Sequence, residues 1–532
     1  MLTITTLFSF TYIELLVLAI IFYELFSQKG RRWVLLLFSY LFFYLISGKL
    51  ICYLLFSTLS VHHFGIWLDD VQKEGKQQLK AVEKDQKKAL SAKFKKKQNL
   101  IMGLAVVVHI GVLAVLKYSP FAISNINTVL RLLHISYSID IPDYLVPIGI
   151  SFYTLQAVSY LTDVYRKVIP ADRNLLRLAL FMSFFPEIME GPICRYSDTA
   201  HSLWKAEKIN YWNFIAGSQR IAFGIMKKLI VADRLNLFIK DVYLNFDNYD
   251  GFIIAVAMVG YTFQLYMDFS GTIDVALGSG QIFGVTLPEN FRRPFFSRTI
   301  SEFWQRWHIT LGAWLKDYIF YPVSMSKRVT KLSMLAKKKY GNHVASLVAG
   351  SIALFCVWIA NGIWHGAGWK YIFFGMYHFA FILCGNIVQP TVIKTAQRLH
   401  IDRNCLWYRI IQIIRTAILV CIGELFFRAH GLAAGIKMFR KMFTDFTFAT
   451  LRDGSIFTFG MDPKDYIVLG AFALFLLVIG IIQEKGIIIR DEINKKNVVF
   501  RLAVYYVFIL IIVIFGAYGA DYLPVNPIYA DF

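Results

Sequence analysis

The feature that most constrains this chain is the recurrence of apolar runs about as long as a bilayer is thick, separated by short blocks rich in lysine and arginine. Such runs occur at 7–27, 33–47, 50–67, 100–117, 144–165, 212–231, 252–286, 345–364, 370–388, 405–427, 464–484 and 502–518. Most hold the roughly 20 residues with which a helix crosses hydrocarbon. Composition agrees, since 57% of the 532 residues are hydrophobic and only 17% charged, against about 25% charged in soluble domains. A soluble chain of this length would need polar surface for several domains and lacks the charges to make it. Within lipid every backbone N–H and C=O must be satisfied inside its own segment. The expected fold is therefore all-α, a polytopic transmembrane helical bundle of about 11–13 membrane segments with re-entrant or interfacial helices besides.

Charge sets the orientation. The formal net charge is +21, which in a soluble chain would suggest nucleic acid; here the basic residues sit in loops between apolar runs, so no nucleic-acid partner is expected and the lipid bilayer is. Ten lysines crowd residues 69–99, whereas 118–143 carries one Lys or Arg, Arg131. The first loop is thus cytoplasmic and the second external. Residues 287–341, with eleven Lys/Arg against three acids, also belong in the cytoplasm. The first run lacks a basic leader and a small-residue cleavage site and precedes Lys29, Arg31 and Arg32. It reads as a retained helix with the N-terminus outside, and the parity of about twelve crossings places the C-terminus outside as well.

Two stretches break the pattern. Residues 178–194 are apolar but interrupted by Pro186, Glu187, Glu190, Gly191 and Pro192, which suits a re-entrant segment facing protein or a cavity. Residues 288–322 are aromatic and basic, too polar to cross, and should lie against or dip into the cytoplasmic face. The lysine-rich stretch 71–98 reads as a solvated amphipathic helix. Six scattered cysteines never form C-x-x-C and read as buried thiols. Metal-ligand spacing, a Walker loop and a G-x-S-x-G elbow are all missing from the sequence, so no metal site and no bound cofactor are expected.

An ionisable side chain inside an apolar run costs several kcal/mol unless paired or hydrated, so each marks a candidate site. Two clusters stand out, Glu302-Phe-Trp304-Gln-Arg306-Trp-His308 with Lys316 and Asp317, and Trp358-Ile-Ala-Asn361-Gly-Ile-Trp364-His365-Gly-Ala-Gly-Trp369. His365 ends a long apolar helix and precedes Gly366 and Gly368, residues that let the chain bend and approach the ring. Each cluster has a plainer alternative. His365 can be a structural hydrogen-bonding group, His308 an interfacial anchor, and the tryptophans an aromatic belt. Asp268 and Asp274, a conceivable proton relay, read better as hydrogen-bonding groups inside the bundle.

At these residues the chain resembles the membrane-bound O-acyltransferase superfamily, in particular its alginate O-acetyltransferase branch and the related D-alanyl transfer proteins. The resemblance is carried in order by PIGISFYTLQAVSYLTDVYR (147–166), FFPEIMEGPICRY (184–196), YTFQLYMDFSGTID (261–274), PENFRRPFFSRTISEFWQRWHITLGAWLKDYIFYP (288–322), IANGIWHGAGWKYIFFGMYH (359–378) and ELFFRA (424–429). It implies three parts: N-terminal helices at 1–146, a catalytic core at 147–430 around a cytoplasmic-to-external tunnel, and C-terminal helices at 431–532. It also implies His365 as the catalytic histidine and His308 as its companion, with Asn361, Trp364, Arg306, Trp304 and Asp317 around the substrate. The implied reaction carries an acetyl group from a cytoplasmic thioester, acetyl-CoA or another phosphopantetheine carrier, to a hydroxyl of an extracytoplasmic polysaccharide or partner protein. An accessory acetyltransferase-type protein would assist. The basic face of Arg292, Arg293 and Arg298 would attract the anionic donor, though ordinary positive-inside retention accounts for the same charges. The chain departs from this branch after Pro322, in VSMSKRVTKL, and in its final PIYADF. D-alanyl transfer toward teichoic acid, and transport or lipid flipping without acyl chemistry, are the competing readings.

Overall fold

The computed structural model describes residues 6–518 together with 522, 524 and 525; the final PIYADF and the expected external C-terminus lie outside the described residues. Those residues form helices and connecting turns. The helices are α1 (Phe10–Leu25), α2 (Gln28–Ser47), α3 (Ile51–Ala81), α4 (Lys84–Leu113), α5 (Ser119–Leu132), α6 (Ile150–Tyr165), α7 (Leu175–Ser183), α8 (Tyr196–Lys205), α9 (Tyr211–Met226), α10 (Asp233–Leu244) and α11 (Gly251–Ile282). They continue as α12 (Ile300–Arg306), α13 (Ile309–Leu315), α14 (Tyr321–Ser324), α15 (Lys327–His365), α16 (Trp369–Arg398), α17 (Leu406–Arg428), α18 (Leu432–Thr444), α19 (Ala449–Arg452), α20 (Pro463–Glu484), α21 (Ile489–Asn494) and α22 (Val498–Phe515).

Among the described residues, eight continuous helical stretches are long and apolar enough to cross a membrane, and one of them, 28–81, holds both α2 and α3. The shorter apolar helices α1, α6 and α9 complete the bundle, so the chain is an all-α, multi-pass membrane protein. Burial separates helices that meet lipid from those that meet protein. No residue of α22 is buried, whereas every residue of α6 from Ile150 to Leu161 is. A helix apolar all round suits lipid on its outside; one enclosed by neighbours can carry Ser151, Thr154, Gln156 and Ser159 because protein groups can answer them.

Both irregular stretches carry buried side chains. Residues 178–194 are buried throughout: α7 stops at Ser183, and the chain turns through Phe184–Gly191 instead of spanning. The Phe185 N–H donates to Ser39 Oγ at 3.2 Å, and Glu187 Oε1 accepts from Gln156 at 3.2 Å. Residues 288–322 form short helices that insert Phe303, Trp307, Leu311 and Trp314 into the core. The lysine-rich stretch differs from expectation. It is a helical hairpin, turned at Val82–Glu83, that prolongs α3 and α4, with Lys73 paired to Asp69 and Lys97 to Glu74 at 2.5 and 3.6 Å. Both halves simply continue apolar helices whose packing is already set.

Among the described residues three π-helical turns interrupt the bundle, at Ala114–Tyr118, Lys227–Ala232 and Lys316–Phe320. The first and third precede Pro120 and Pro322, which supply no N–H to an α-helical ladder. Such bulges gather at functional positions, and each of these contains lysine. Lys228 pairs with Asp268 and Asp233 at 2.7 and 3.1 Å, and Lys227 with Asp274 at 2.6 Å. Asp268 and Asp274 therefore act as ion-pair partners joining α11 to the α9–α10 turn.

Candidate active site

The site is built around the break between α12 and α13. Trp307 is extended, and His308 takes the left-handed conformation at φ +46°, a costly choice for a residue with a Cβ. The turn is held from residues 290–292. Phe291 and Trp307 form an isolated antiparallel bridge, the Arg292 N–H donates to the Arg306 carbonyl at 2.9 Å, and the Ile309 N–H donates to the Asn290 carbonyl at 3.0 Å.

The Asn290 side chain then fixes the imidazole. Its Oδ1 accepts from Thr310 N–H at 3.0 Å and from Thr310 Oγ1 at 2.9 Å, and lies 3.2 Å from His308 Nδ1. Thr310 Oγ1 in turn accepts from the Ile193 N–H at 3.0 Å, tying the buried stretch 178–194 to this turn. Because a backbone N–H already identifies Oδ1 as the acceptor, Nδ1 carries the proton and Nε2 keeps its lone pair. Nε2 is buried with no hydrogen-bond partner among the described residues. Burial, and then the neighbouring His365, hold the His308 imidazole well below its usual pKa, so it is neutral at pH 7.

His365 closes α15, and a Cβ on the next residue, Gly366, would collide with the Tyr371 ring at 2.3 Å. Glycine is thus required for the chain to turn there. The Trp364 indole lies between the two histidines, 5.6 Å from His308 and 5.1 Å from His365 between ring centroids. Phe374 and Phe427 enclose His365 at 5.9 and 5.2 Å. Lys117, in the π turn before Pro120, donates to the Trp364 carbonyl and to Ser151 Oγ, each at 3.2 Å. Asn361 sits one turn before His365, buried, with Oδ1 unpartnered among the described residues.

The structure thus gathers His308, Trp364, His365 and Asn361, with Trp304 joined to them through Phe374 at 5.9 Å. The charged candidates are placed apart. Asp317 pairs with Arg195 at 3.2 Å. Arg306 bridges Glu302 and Glu484, each at 2.8 Å, and Arg293 shares Glu484 at 2.6 Å. Arg292 and Arg293 line a cavity of about 520 Å³ between α9, α11 and α20, while Arg298 lies against α17, where its carbonyl accepts from Arg415 at 2.8 Å. A second cavity, about 560 Å³, lies just past His365 between Ala367–Tyr371 and Gly431–Ile436.

Three residues beside these groups are not singled out by the sequence: Asn290, Lys117, and His378, whose ring meets Trp304 at 4.8 Å and Phe374 at 4.7 Å. Lys117 had a signal, a lone cation ending an apolar run before Ser119-Pro120. Asn290 and His378 lie inside recognised motifs without marking themselves.

A sequence model of the membrane-bound O-acyltransferase family matches residues 35–336. The chain belongs to that family. His308 falls inside the matched stretch and His365 beyond it. Among family relatives, the chain is 32% identical over 362 residues to the "Probable alginate O-acetylase AlgI" of Azotobacter vinelandii, covering 66% of this chain and 65% of that protein. It is 29% identical over 372 residues to the peptidoglycan O-acetyltransferase of Helicobacter pylori, 64% of each chain. With the teichoic acid D-alanyltransferase of Bacillus subtilis it shares 31% identity over 280 residues, 52% of this chain and 67% of that one. The matched region thus spans just under two thirds of the length of the alginate and peptidoglycan relatives.

Proposed function

We propose that this protein is an O-acetyltransferase of the cytoplasmic membrane, its N-terminus outside, that moves an acetyl group from a cytoplasmic thioester to a hydroxyl of an extracytoplasmic polysaccharide or partner protein. The observation that carries the reading is the pair His308 and His365 packed about one indole, in a member of an O-acyltransferase family whose relatives include alginate and peptidoglycan O-acetylating proteins. The donor is acetyl-CoA or another phosphopantetheine thioester. It enters from the basic cytoplasmic side, where Arg292 is the exposed guanidinium beside the cavity, and the acceptor arrives from the cavity beyond His365.

In this scheme His365 takes the proton from the acceptor hydroxyl as that oxygen attacks the thioester carbonyl carbon. The tetrahedral intermediate collapses with cleavage of the C–S bond, and the imidazolium returns its proton to the departing thiolate. General base catalysis of this kind contributes roughly 10²–10⁴-fold. His308, neutral and with Nε2 free to accept, orients the acceptor hydroxyl. An accessory acetyltransferase-type protein on the external side receives or relays the acetyl group.

The test is mass spectrometry of cell-surface polymers from cells with wild type, without the protein, and with His365→Ala. Acetyl esters should be present only with wild type, while His365→Ala reaches the membrane at normal abundance. Alanyl esters in their place would mean D-alanyl transfer, and unchanged esters in His365→Ala would remove that residue from the chemistry. Arg292→Glu should raise the apparent KM for the donor at low salt, where screening is weakest; an unmoved KM would refute the docking role.

A further inference from the structure

His378 is the least explained polar group in the core. It is 0% exposed, and neither ring nitrogen has a hydrogen-bond partner among the described residues. Four aromatic rings hold it. Trp358 stacks on it at 5.4 Å, and Trp304, Phe374 and Tyr377 meet it edge-on at 4.8, 4.7 and 5.1 Å. The Trp304 indole N–H beside it is likewise buried and unpartnered. On the opposite side stands Gly423, where a Cβ would lie 2.7 Å from Nε2. Buried polar atoms are almost always satisfied, so an indole donor and an imidazole left open side by side ask for a ligand that offers both an acceptor and a donor. A secondary amide offers C=O and N–H together.

Position along α17 says which amide. Arg415 on this helix meets Arg298, Gly423 meets His378, and Phe427 meets His365. From Arg415 to Phe427 is twelve residues of one helix, about 18 Å at ~1.5 Å per residue. An extended phosphopantetheine arm covers a similar length between its phosphate and its sulfur by standard bond lengths. Gly423 is four residues short of Phe427, about 6 Å. In the arm, two methylene groups separate the sulfur from the first amide, which gives about the same spacing from the thioester carbonyl.

We propose that His378 and Trp304 form a subsite for the sulfur-proximal amide of the donor's pantetheine arm. The indole N–H donates to the amide carbonyl, an imidazole nitrogen accepts from the amide N–H, and the thioester is thereby delivered to His365. The proposal rests on the thioester-donor reading above. His378 contacts the donor away from the reacting atoms, and it serves donor recognition in preference to the chemical step.

The test compares two donors that differ in this amide, S-acetyl-N-acetylcysteamine, which has it, and S-butyl thioacetate, which lacks it. Thiol release is followed in proteoliposomes with surface polysaccharide from cells lacking this protein as acceptor. Wild type should favour the amide donor about 10- to 100-fold in kcat/KM, because a donor without the amide leaves the site's buried polar atoms unpaired. His378→Phe and Trp304→Phe should bring that ratio close to one by a loss that falls mainly on the amide donor. Membrane abundance and a thiol-dye unfolding midpoint equal to wild type are the control for folding. Equal loss with both donors, or a wild type indifferent to the amide, would overturn the subsite while leaving the O-acetyltransferase reading in place. A wild type that releases no thiol from either compound, from acetyl-CoA or from an acetylated phosphopantetheine carrier protein would overturn that reading, and the subsite with it.

Discussion

Replacing Asn290 with leucine removes the acceptor on which the His308 turn is assembled while keeping nearly the same volume. Three donors converge on Oδ1, from Thr310 N, Thr310 Oγ1 and His308 Nδ1, at 3.0, 2.9 and 3.2 Å. The threonine hydroxyl can rotate away. The backbone N–H and the ring N–H cannot, and each buried donor left stranded costs about 1–3 kcal/mol, so the substitution should destabilise the protein by about 2–6 kcal/mol. It also releases the imidazole from its single tautomer, so surface acetylation should fall along with stability. Unfolding can be followed with a thiol-reactive dye at a fixed heating rate, because Cys194 and Cys421 are buried in the native protein and become reactive as it opens. Asn290→Leu should expose them at a midpoint several degrees below wild type. A midpoint indistinguishable from wild type, with normal acetylation, would refute the assignment of Asn290 as the residue that organises His308.

Lys228→Met should cost about 3–5 kcal/mol, since it strands the buried carboxylates of Asp268 and Asp233 without a counter-charge; the dye midpoint and the yield of folded protein report it. The depressed pKa of His308, caused by burial and then by His365, makes the unfolded chain the better proton acceptor. Its contribution to stability is therefore complete above the unfolded value near ~6.5 and is lost as pH falls below it, and His308→Gln should weaken the decline in dye midpoint between pH 7.5 and 5.5. Single cysteines in a cysteine-free background should place Lys88→Cys in the cytoplasm and Ser138→Cys outside. Labelling of Lys88→Cys by an impermeant reagent from outside intact cells would reverse the topology.

The fold class was legible in the sequence because crossing a bilayer is a local requirement: a window of about 20 residues either has the hydrophobicity or does not. The same locality exposed the interruption at 178–194 and the two histidines, since a polar residue in an apolar run declares its own cost. Partnership is different. Motif position alone puts Arg306, Arg293 and Asp317 toward the substrate, yet Arg293 finds Glu484 across 191 residues and Asp317 finds Arg195 across 122. Lys117 reaches the Trp364 carbonyl across 247 residues, from a π turn that no periodicity announces. Asn290 is an ordinary residue in an aromatic loop until Thr310 and His308 close on it. The sequence by itself determined which segments enter the membrane and which polar residues they carry with them. Only the tertiary structure decided which of those residues answer one another, because a hydrogen bond or ion pair depends on where helices cross, and crossing is settled by packing between segments far apart in the chain.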